Sequence, residues 1–459
     1  SGLVGSEMCI RDSSTTPSST TTAYLNGNLA HYIYGYGIGS IPAGTGYGIG
    51  GYGSGGYGTG AAVTPSTGTA IPASDWSLDN WGEVLLASPI NTISPPFQPI
   101  YQWDAEGSAP TASVIAEAPT VNDGFFVAMP QRQIVAWGST FTGIQDPLLI
   151  RWCDVNNYNS WIATVLNQAG SYRIPKGSRI IGCIQGPQQA LVWTDLGVWS
   201  MQYVGQPYVY SFNEIGSGCG MIARKAAASV NGVVYWMGPS QFFSLTANGV
   251  QPVACPIWDV IFQDLDQTQT SKIRVAVNSR FGEITWYYPT MSSGGEVNAY
   301  VKHNVLLQTW DFGTLGRSAW IDQSVLGPPI GADPTSLYLY QHETSTDADG
   351  QVLAASFQTG YFAMNEADVL TFVDQVWPDM KWGYYGGTQN ATVNITFYVA
   401  NYPGETPRTY GPYAVTQATK FVTPRFRGRL MSIGLSSNDV GSFWRIGNIR
   451  YRLQADGKF

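Results

Sequence analysis

The chain has 459 residues, of which 12% are charged and 13% aromatic, with 53 glycines, 27 prolines and a formal charge of −8 at neutral pH. Roughly three domain-lengths of chain can bury a large core, and this wealth of aromatic and turn-forming residues suits many short strands joined by tight turns. The acidic balance argues against a protein that grips nucleic acid by neutralising phosphates, and no apolar window reaches the roughly 18 residues that a membrane-spanning helix needs.

Residues 1–13, Ser1-Gly-Leu-Val-Gly-Ser-Glu-Met-Cys-Ile-Arg-Asp-Ser13, lack the basic and apolar regions of a signal peptide. They resemble the translated sequencing-adapter peptide found at the ends of metagenomic gene fragments, and are expected to be foreign to the natural protein. Residues 14–24 are Ser/Thr-rich and read as a linker. Residues 25–75 form a Gly/Tyr-rich segment, with Tyr34, Tyr36, Tyr47, Tyr52 and Tyr57 spaced through it. So few aliphatic residues cannot build a core, and the segment is expected either to lie extended along a surface with its tyrosines as anchors or to stay mobile. The text Gly46-x-Gly48-x-x-Gly51 matches a dinucleotide fingerprint, but neither a strand before it nor a helix after it supports that chemistry.

Residues 76–355 read as a β-propeller of five or six blades. Trp76–Gly82 and Ile100–Trp103 suggest an early blade. Ile134-Val-Ala-Trp137 opens a unit closed by Asn159-Ser-Trp161, and Ile284-Thr-Trp286 opens one closed by Gln308-Thr-Trp310, each tryptophan pair 24 residues apart. Ala190–Trp193 with Val198–Tyr203, and Val233–Trp236 with Gln241–Leu245, supply two further units. Ser336–Tyr340 would start a sixth. Trp137, Trp193, Trp236 and Trp286 recur at intervals of 56, 43 and 50 residues, near the period of about 40–50 expected of four-stranded blades. One helix is expected after Pro256, with Ile257, Ile261, Phe262 and Leu265 on its apolar face.

The tryptophan phrase stops after residue 355, and residues 356–459 read as a separate β-sandwich-like domain. Strands are expected over 355–362, 369–377, 392–400, 420–426, 429–435 and 444–453. Its end carries Arg425, Arg427, Arg429, Arg445, Arg450 and Arg452. These arginines read either as a solvated strand face bridged to neighbouring acids or as a docking surface for an acidic partner subunit; charge runs more often form solvated faces.

Catalytic chemistry is sparse in the text. His31, His303 and His342 are isolated and read as surface or turn residues, and no nucleophile-elbow motif occurs. Asp311-Phe-Gly313 reads as a strand end, Asp347-Ala-Asp-Gly350 as a hairpin turn, and Gly216-Ser-Gly-Cys-Gly220 as a permissive inter-blade loop. Cysteines 9, 153, 183, 219 and 255 form no metal-ligand spacing and read as buried free thiols. No catalytic residue, metal or cofactor is expected.

From Trp76 onward the chain resembles a family of tailed-phage virion proteins akin to the tail-nozzle or packaged-DNA-stabilisation proteins of short-tailed phages. Trp76-Ser-Leu-Asp-Asn-Trp-Gly82, Leu191–Tyr203, Val234-Tyr-Trp-Met237, Trp310–Leu315 and Trp444-Arg-Ile-Gly-Asn-Ile-Arg450 carry the likeness. The resemblance implies a structural, non-enzymatic protein of the virion tail, assembled in the host cytoplasm. It further implies a ring of identical subunits, six in number, contacting other tail or portal-adaptor proteins while DNA passes without specific binding. The alternative from another class is a carbohydrate-binding or glycoside-hydrolysing propeller, whose aromatic residues would stack on sugars. An adhesive surface-array protein is a third reading.

Overall fold

The computed structural model describes residues 75–90, 98–104, 112–186, 189–325, 327–365, 369–384 and 391–458. The adapter-like start, the linker, the Gly/Tyr-rich segment up to residue 74, Cys9 and His31 lie outside them. The chain divides into two compact units, one ending at Gln341 and the other starting at His342. Both are built from small antiparallel sheets, so the all-β class expected from composition holds.

The first unit holds five successive four-stranded meanders. They comprise Asp75–Trp81, Val84–Ile90, Tyr101–Asp104 and Ser113–Val114; then Gly124–Ala128, Gln133–Trp137, Leu149–Trp152 and Gly170–Arg173; then Ile180–Gln185, Ala190–Thr194, Gly197–Gly205 and Val209–Ser217. The fourth contains Ala227–Val230, Val233–Met237, Phe242–Thr246 and Gly249–Val253, and the fifth Arg274–Asn278, Glu283–Tyr288, Ala299–Asn304 and Thr309–Gly313. A three-stranded sheet follows, from Ala319–Ile321, Ile330–Ala332 and Leu339–Gln341. Tight turns link the strands: Asn231 and Gly232, both at positive φ, join Val230 to Val233, the backbone that a two-residue hairpin of type I′ demands.

Trp137, Trp193, Trp236 and Trp286 each lie on the second strand of their sheet and are 3% exposed or less. Their cross-strand partners on the leading strand are Gly124, Gly182, Ala227 and Val275. Three of the four leading strands thus carry glycine or alanine where the indole lies. At Gly124 an added Cβ would run into the Trp137 ring. The indoles and their aromatic neighbours also join sheet to sheet. Trp152 meets Tyr210 edge-on at 5.1 Å between the second and third sheets. Trp193 meets Trp236 at 5.4 Å between the third and fourth, and Phe242 meets Trp286 at 4.8 Å between the fourth and fifth. The ring nitrogens of Trp286 and Trp320 donate across the joints to the carbonyls of Ala226 and Val277, at 2.9 and 2.8 Å. A buried indole satisfied at its one polar atom contributes both area and orientation.

The equal spacing of the two tryptophan pairs hides different structures. Trp286 and Trp310 stack at 6.3 Å within the fifth sheet. Trp161, by contrast, lies in a loop and not on a strand; it packs in the cluster of Trp81, Leu86 and Ile134, while Trp137 faces the neighbouring cluster with Val135 and Ile150. A 17-residue connection between Trp152 and Gly170 carries it there, and the sheet is completed by Gly170–Arg173 instead. The run Ser336–Tyr340 also differs from expectation: Leu339–Gln341 ends the three-stranded sheet rather than opening a new one. The expected helix forms over Trp258–Asp264, with Ile261 and Leu265 buried and Phe262 against Phe242 at 5.6 Å.

In the second unit one sheet pairs Ala355–Gln358 and Phe362–Ala363 with Leu430–Ser437, then Val393–Ala400, then Arg408–Val415. The other places the long strands Val369–Tyr384 and Ser442–Lys458 together with Phe426–Gly428. Strict alternation buries Val393, Ile395, Phe397 and Val399, which share a core with Val373, Val376, Phe426 and Leu435 from both sheets. The strand Arg408–Val415 was absent from the sequence expectations because its outer face is polar and Gly411-Pro412 interrupts it; proline is tolerated there because this is an edge strand. Most of 420–426 stays irregular and contributes only the start of Phe426–Gly428.

Trp286→Ala should destabilise the first unit by about 3–5 kcal/mol, the range for removing a fully buried large aromatic side chain. Trp286→Phe should cost less, keeping an aromatic ring but losing the bond to the Ala226 carbonyl, which still accepts from Met237 N at 3.2 Å. Urea unfolding followed by circular dichroism measures both; equal costs would contradict the assigned joint.

Candidate functional site

A charged cluster forms where the leading strands of the first unit begin. Asp75 opens the first leading strand, Asp123 precedes the second, Arg179 precedes the third, Arg224 and Lys225 precede the fourth, and Arg274 opens the fifth. Asp75 reaches across the array: its carboxylate accepts from Lys225 Nζ at 2.9 Å and pairs with the Arg274 guanidinium at 3.1 Å. Lys225 Nζ also donates to the Trp76 carbonyl at 2.9 Å. Arg224 donates to the Asp123 carbonyl. Backbone ties run alongside, with Val275 N donating to Lys225 O at 2.9 Å and Val127 N to the Asp79 carboxylate at 2.7 Å. Sheets one, four and five therefore meet at one point, and the array curls back on itself.

The electrostatics follow from this crowding. Burial alone would raise the Asp75 carboxyl, but Arg274 and Lys225 together hold it at about 2. Burial raises Asp123 above the ordinary carboxylate range, with Arg224 and Arg179 pulling the other way. Burial lowers Arg224 and Lys225 from their ordinary values, opposed by Asp75. Sequence reasoning missed all six charges because they are far apart in the chain. Their recurrence at the head of each successive leading strand, two of them before the fourth, was the available signal.

A second feature is a cleft of about 230 Å³ between the second and third sheets. Its wall is Tyr203 and Tyr210, edge-to-face at 5.7 Å, and its rim carries Gln131, Gln185, Gln189 and Gln202. The tyrosines are held by glutamines beneath them: Tyr210 OH donates to Gln133 Oε1 at 2.8 Å and Tyr203 OH to Gln168 Oε1 at 2.6 Å. Gln202 Nε2 donates to Gln189 Oε1 at 2.8 Å. None of the described residues lining this cleft is charged.

The C-terminal arginines lie on or beside the strands of the second unit, and three of the six are ion-paired with aspartates. Arg427 faces Asp456 at 3.2 Å, Arg450 faces Asp379 at 2.8 Å, and Arg452 bonds Asp374. Arg425, at positive φ, lies near Asp374, the Arg429 carbonyl accepts from Met364 N at 3.0 Å, and Arg445 is exposed on Ser442–Lys458 opposite Lys381. Asp374 and Asp379 come from the adjacent long strand, so pairing across two strands brings acids and arginines together.

His303 corrects the expectation of a surface histidine. It is 1% exposed, stacks on Trp310 at 4.4 Å, and its Nδ1 lies 3.2 Å from the Thr309 carbonyl. Burial lowers it from its ordinary value, which keeps it a neutral member of the core. Cys153, Cys183, Cys219 and Cys255 are buried free thiols as expected, and burial raises each of them. Asp347 Oδ1 accepts from Gly350 N at 2.8 Å with Asp349 and Gly350 at positive φ, the hairpin turn the sequence suggested.

No family model and no curated protein matches this sequence. Among solved structures, an exo-β-1,3-galactanase from Phanerochaete chrysosporium bound to β-1,3-galactotriose aligns at 11% identity over 84% of this chain and 99% of that one, with a TM-score of 0.31. The lectin SapL1 in complex with α-methyl fucoside aligns at 9% identity over 60% of this chain and 94% of that one, with a TM-score of 0.34. Likeness at this level carries no argument about activity or ligand.

Because the folded carboxyl of Asp75 lies below its unfolded value of about 3.9, its contribution is complete above that pH and is lost as pH falls toward 2. Between pH 5 and 2.5 the parent chain should therefore lose about 2 kcal/mol more stability than Asp75→Asn. Urea unfolding across that range checks this; parallel pH profiles for the two proteins would contradict it.

Proposed function

We propose that this chain is a structural protein of a phage virion tail, a five- or six-bladed propeller followed by a β-sandwich, and that it works by assembling into a ring around the DNA exit path. The observation that supports it most is the state of the titratable groups in the first unit. At the meeting point of the sheets the Asp75 carboxylate is paired with Lys225 and Arg274, while the Asp123 carboxylate accepts from Gln145 Nε2 at 3.3 Å, with Arg224 and Arg179 nearby. Charges held in this way join sheets to one another and do not form an acid–base pair facing an open cleft. The net charge of −8 suits a conduit along which DNA slides rather than sticks. Its partners in this reading are identical subunits and other tail or portal-adaptor proteins. Cryo-electron microscopy of the particle encoded alongside this gene is the test: density for the chain in a tail ring is expected, and its absence from the particle overturns the proposal.

The cleft between the second and third sheets favours a second reading, carbohydrate binding. Tyrosine faces with a rim of amides are the groups that stack on and hydrogen-bond to a neutral sugar. Hydrolysis is less well supported. A glycosidase needs two carboxylates about 5–10 Å apart flanking the scissile bond, and the cleft lining has none. Asp75 low and Asp123 high mimic the split of an acid and a nucleophile, yet both face guanidinium groups rather than an open cleft. Glycan-array binding that Tyr203→Ala reduces at least tenfold would favour this reading, and no binding on the array would remove it.

A further inference from the structure

The aromatic wall of the cleft between the second and third sheets continues beyond Tyr210. Tyr203, Tyr210, Trp152, Phe212 and Tyr172 form an unbroken row of ring contacts, with centroids 5.7, 5.1, 6.2 and 4.3 Å apart in turn. Trp152 and Tyr172 come from the last two strands of the second sheet, and the other three rings from the last two strands of the third. Side chains alternate along Val209–Ser217, so Tyr210, Phe212 and Glu214 share one face at steps of about 7 Å. The middle of the row is packing: Trp152 and Tyr210 are 3% and 7% exposed and fill the joint between the sheets. The two ends are open instead, Tyr203 at 38% and Tyr172 at 36% exposure. Tyr172 lies flat on half-buried Phe212, the two planes within 1° of parallel, and makes a second aromatic platform. Gln168, on the connection leading into Gly170–Arg173, accepts from Tyr203 OH at 2.6 Å and so ties one end of the row to the strand that carries the other. The cations near the second platform are already paired, Arg173 with Asp146 and Lys176 with Glu214, each at 2.6 Å. An uncharged ligand suits such a surface.

We propose that the cleft is one end of an extended site running along Val209–Ser217 to Tyr172 and Phe212, and that its ligand is a linear neutral oligosaccharide rather than a single sugar. This inference rests on the carbohydrate-binding reading of the cleft. The C–H face of a pyranose is apolar and lies flat on an aromatic ring, while the hydroxyls at its edge take amides as partners. One sugar ring in the cleft meets Tyr203, Tyr210 and the glutamine rim. A ring farther along the same glycan meets Tyr172. The strand step from Tyr210 to Phe212 separates the two platforms by more than one pyranose bridges. Because the buried rings between them fix that separation, little freedom is lost when a glycan spans both.

The test is a glycan array carrying glucose, galactose, mannose and xylose beside their linear oligosaccharides, followed by isothermal titration of the full chain with the best-bound pair. The oligosaccharide should bind about tenfold tighter than its monosaccharide, the worth of one further ring contact. Tyr172→Leu keeps apolar cover over Phe212 but removes the flat ring, and should bring the oligosaccharide down to the affinity of the monosaccharide. Tyr172→Phe keeps the ring and should retain the gain, whereas Tyr203→Ala should weaken both ligands. Equal affinity of the parent for monosaccharide and oligosaccharide, or a gain that survives Tyr172→Leu, overturns the extended site while leaving the cleft a sugar site. Absence of binding to every glycan removes the carbohydrate-binding reading and this inference with it.

Discussion

A sheet of four short strands has two faces and cannot cover either alone. The second strands of the meanders in the first unit are buried on both sides, so neighbouring sheets must supply the cover, and closing the row covers its two ends. That constraint accounts for the rest of the unit. It explains why tryptophan recurs on second strands, where the indole fills the gap to the next sheet, and why glycine, alanine or valine lies opposite. It also explains why Asp75, at the start of the array, reaches lysine and arginine side chains of the fourth and fifth sheets.

The two kinds of joint divide the work. Aromatic contacts are broad and hydrophobic; they hold sheets at a set distance and contribute most of the burial. Ionic contacts at the heads of the leading strands are few and directional. Buried ion pairs add little net stability but fix register, since a displaced partner leaves a bare charge in protein. Trp286 with its bond to Ala226 and Asp75 with its bond to Lys225 illustrate the two on adjoining elements.

Much of this was legible in the sequence, and the reasons differ by feature. The tryptophan period identified repeated strands because it is a local pattern recurring at sheet length, although the runs read as opening their units are the second strands of their sheets. Alternation identified Val393–Ala400 for the same reason. Equal spacing failed for Trp161, because a long loop can reproduce a distance along the chain without reproducing a strand. The edge strand Arg408–Val415 was invisible, since an edge with a polar outer face carries neither alternation nor hydrophobicity. His303 was misread because isolation in sequence says nothing about burial. The charged cluster escaped altogether: its members come from five sheets, and only closure of the array brings them together. The arginines of the second unit were found readily as a run, but their acids on the adjacent strand became visible only through pairing.

Closure of the array through Asp75 is the central claim, and a double-mutant cycle between Asp75→Asn and Arg274→Met tests it most directly. These residues belong to the first and fifth sheets and are far apart in sequence, so they couple only if the array returns on itself. Unfolding free energies should show a coupling of about 1–3 kcal/mol between the two substitutions. Additivity within about 0.5 kcal/mol, the behaviour of sites without contact, would contradict it.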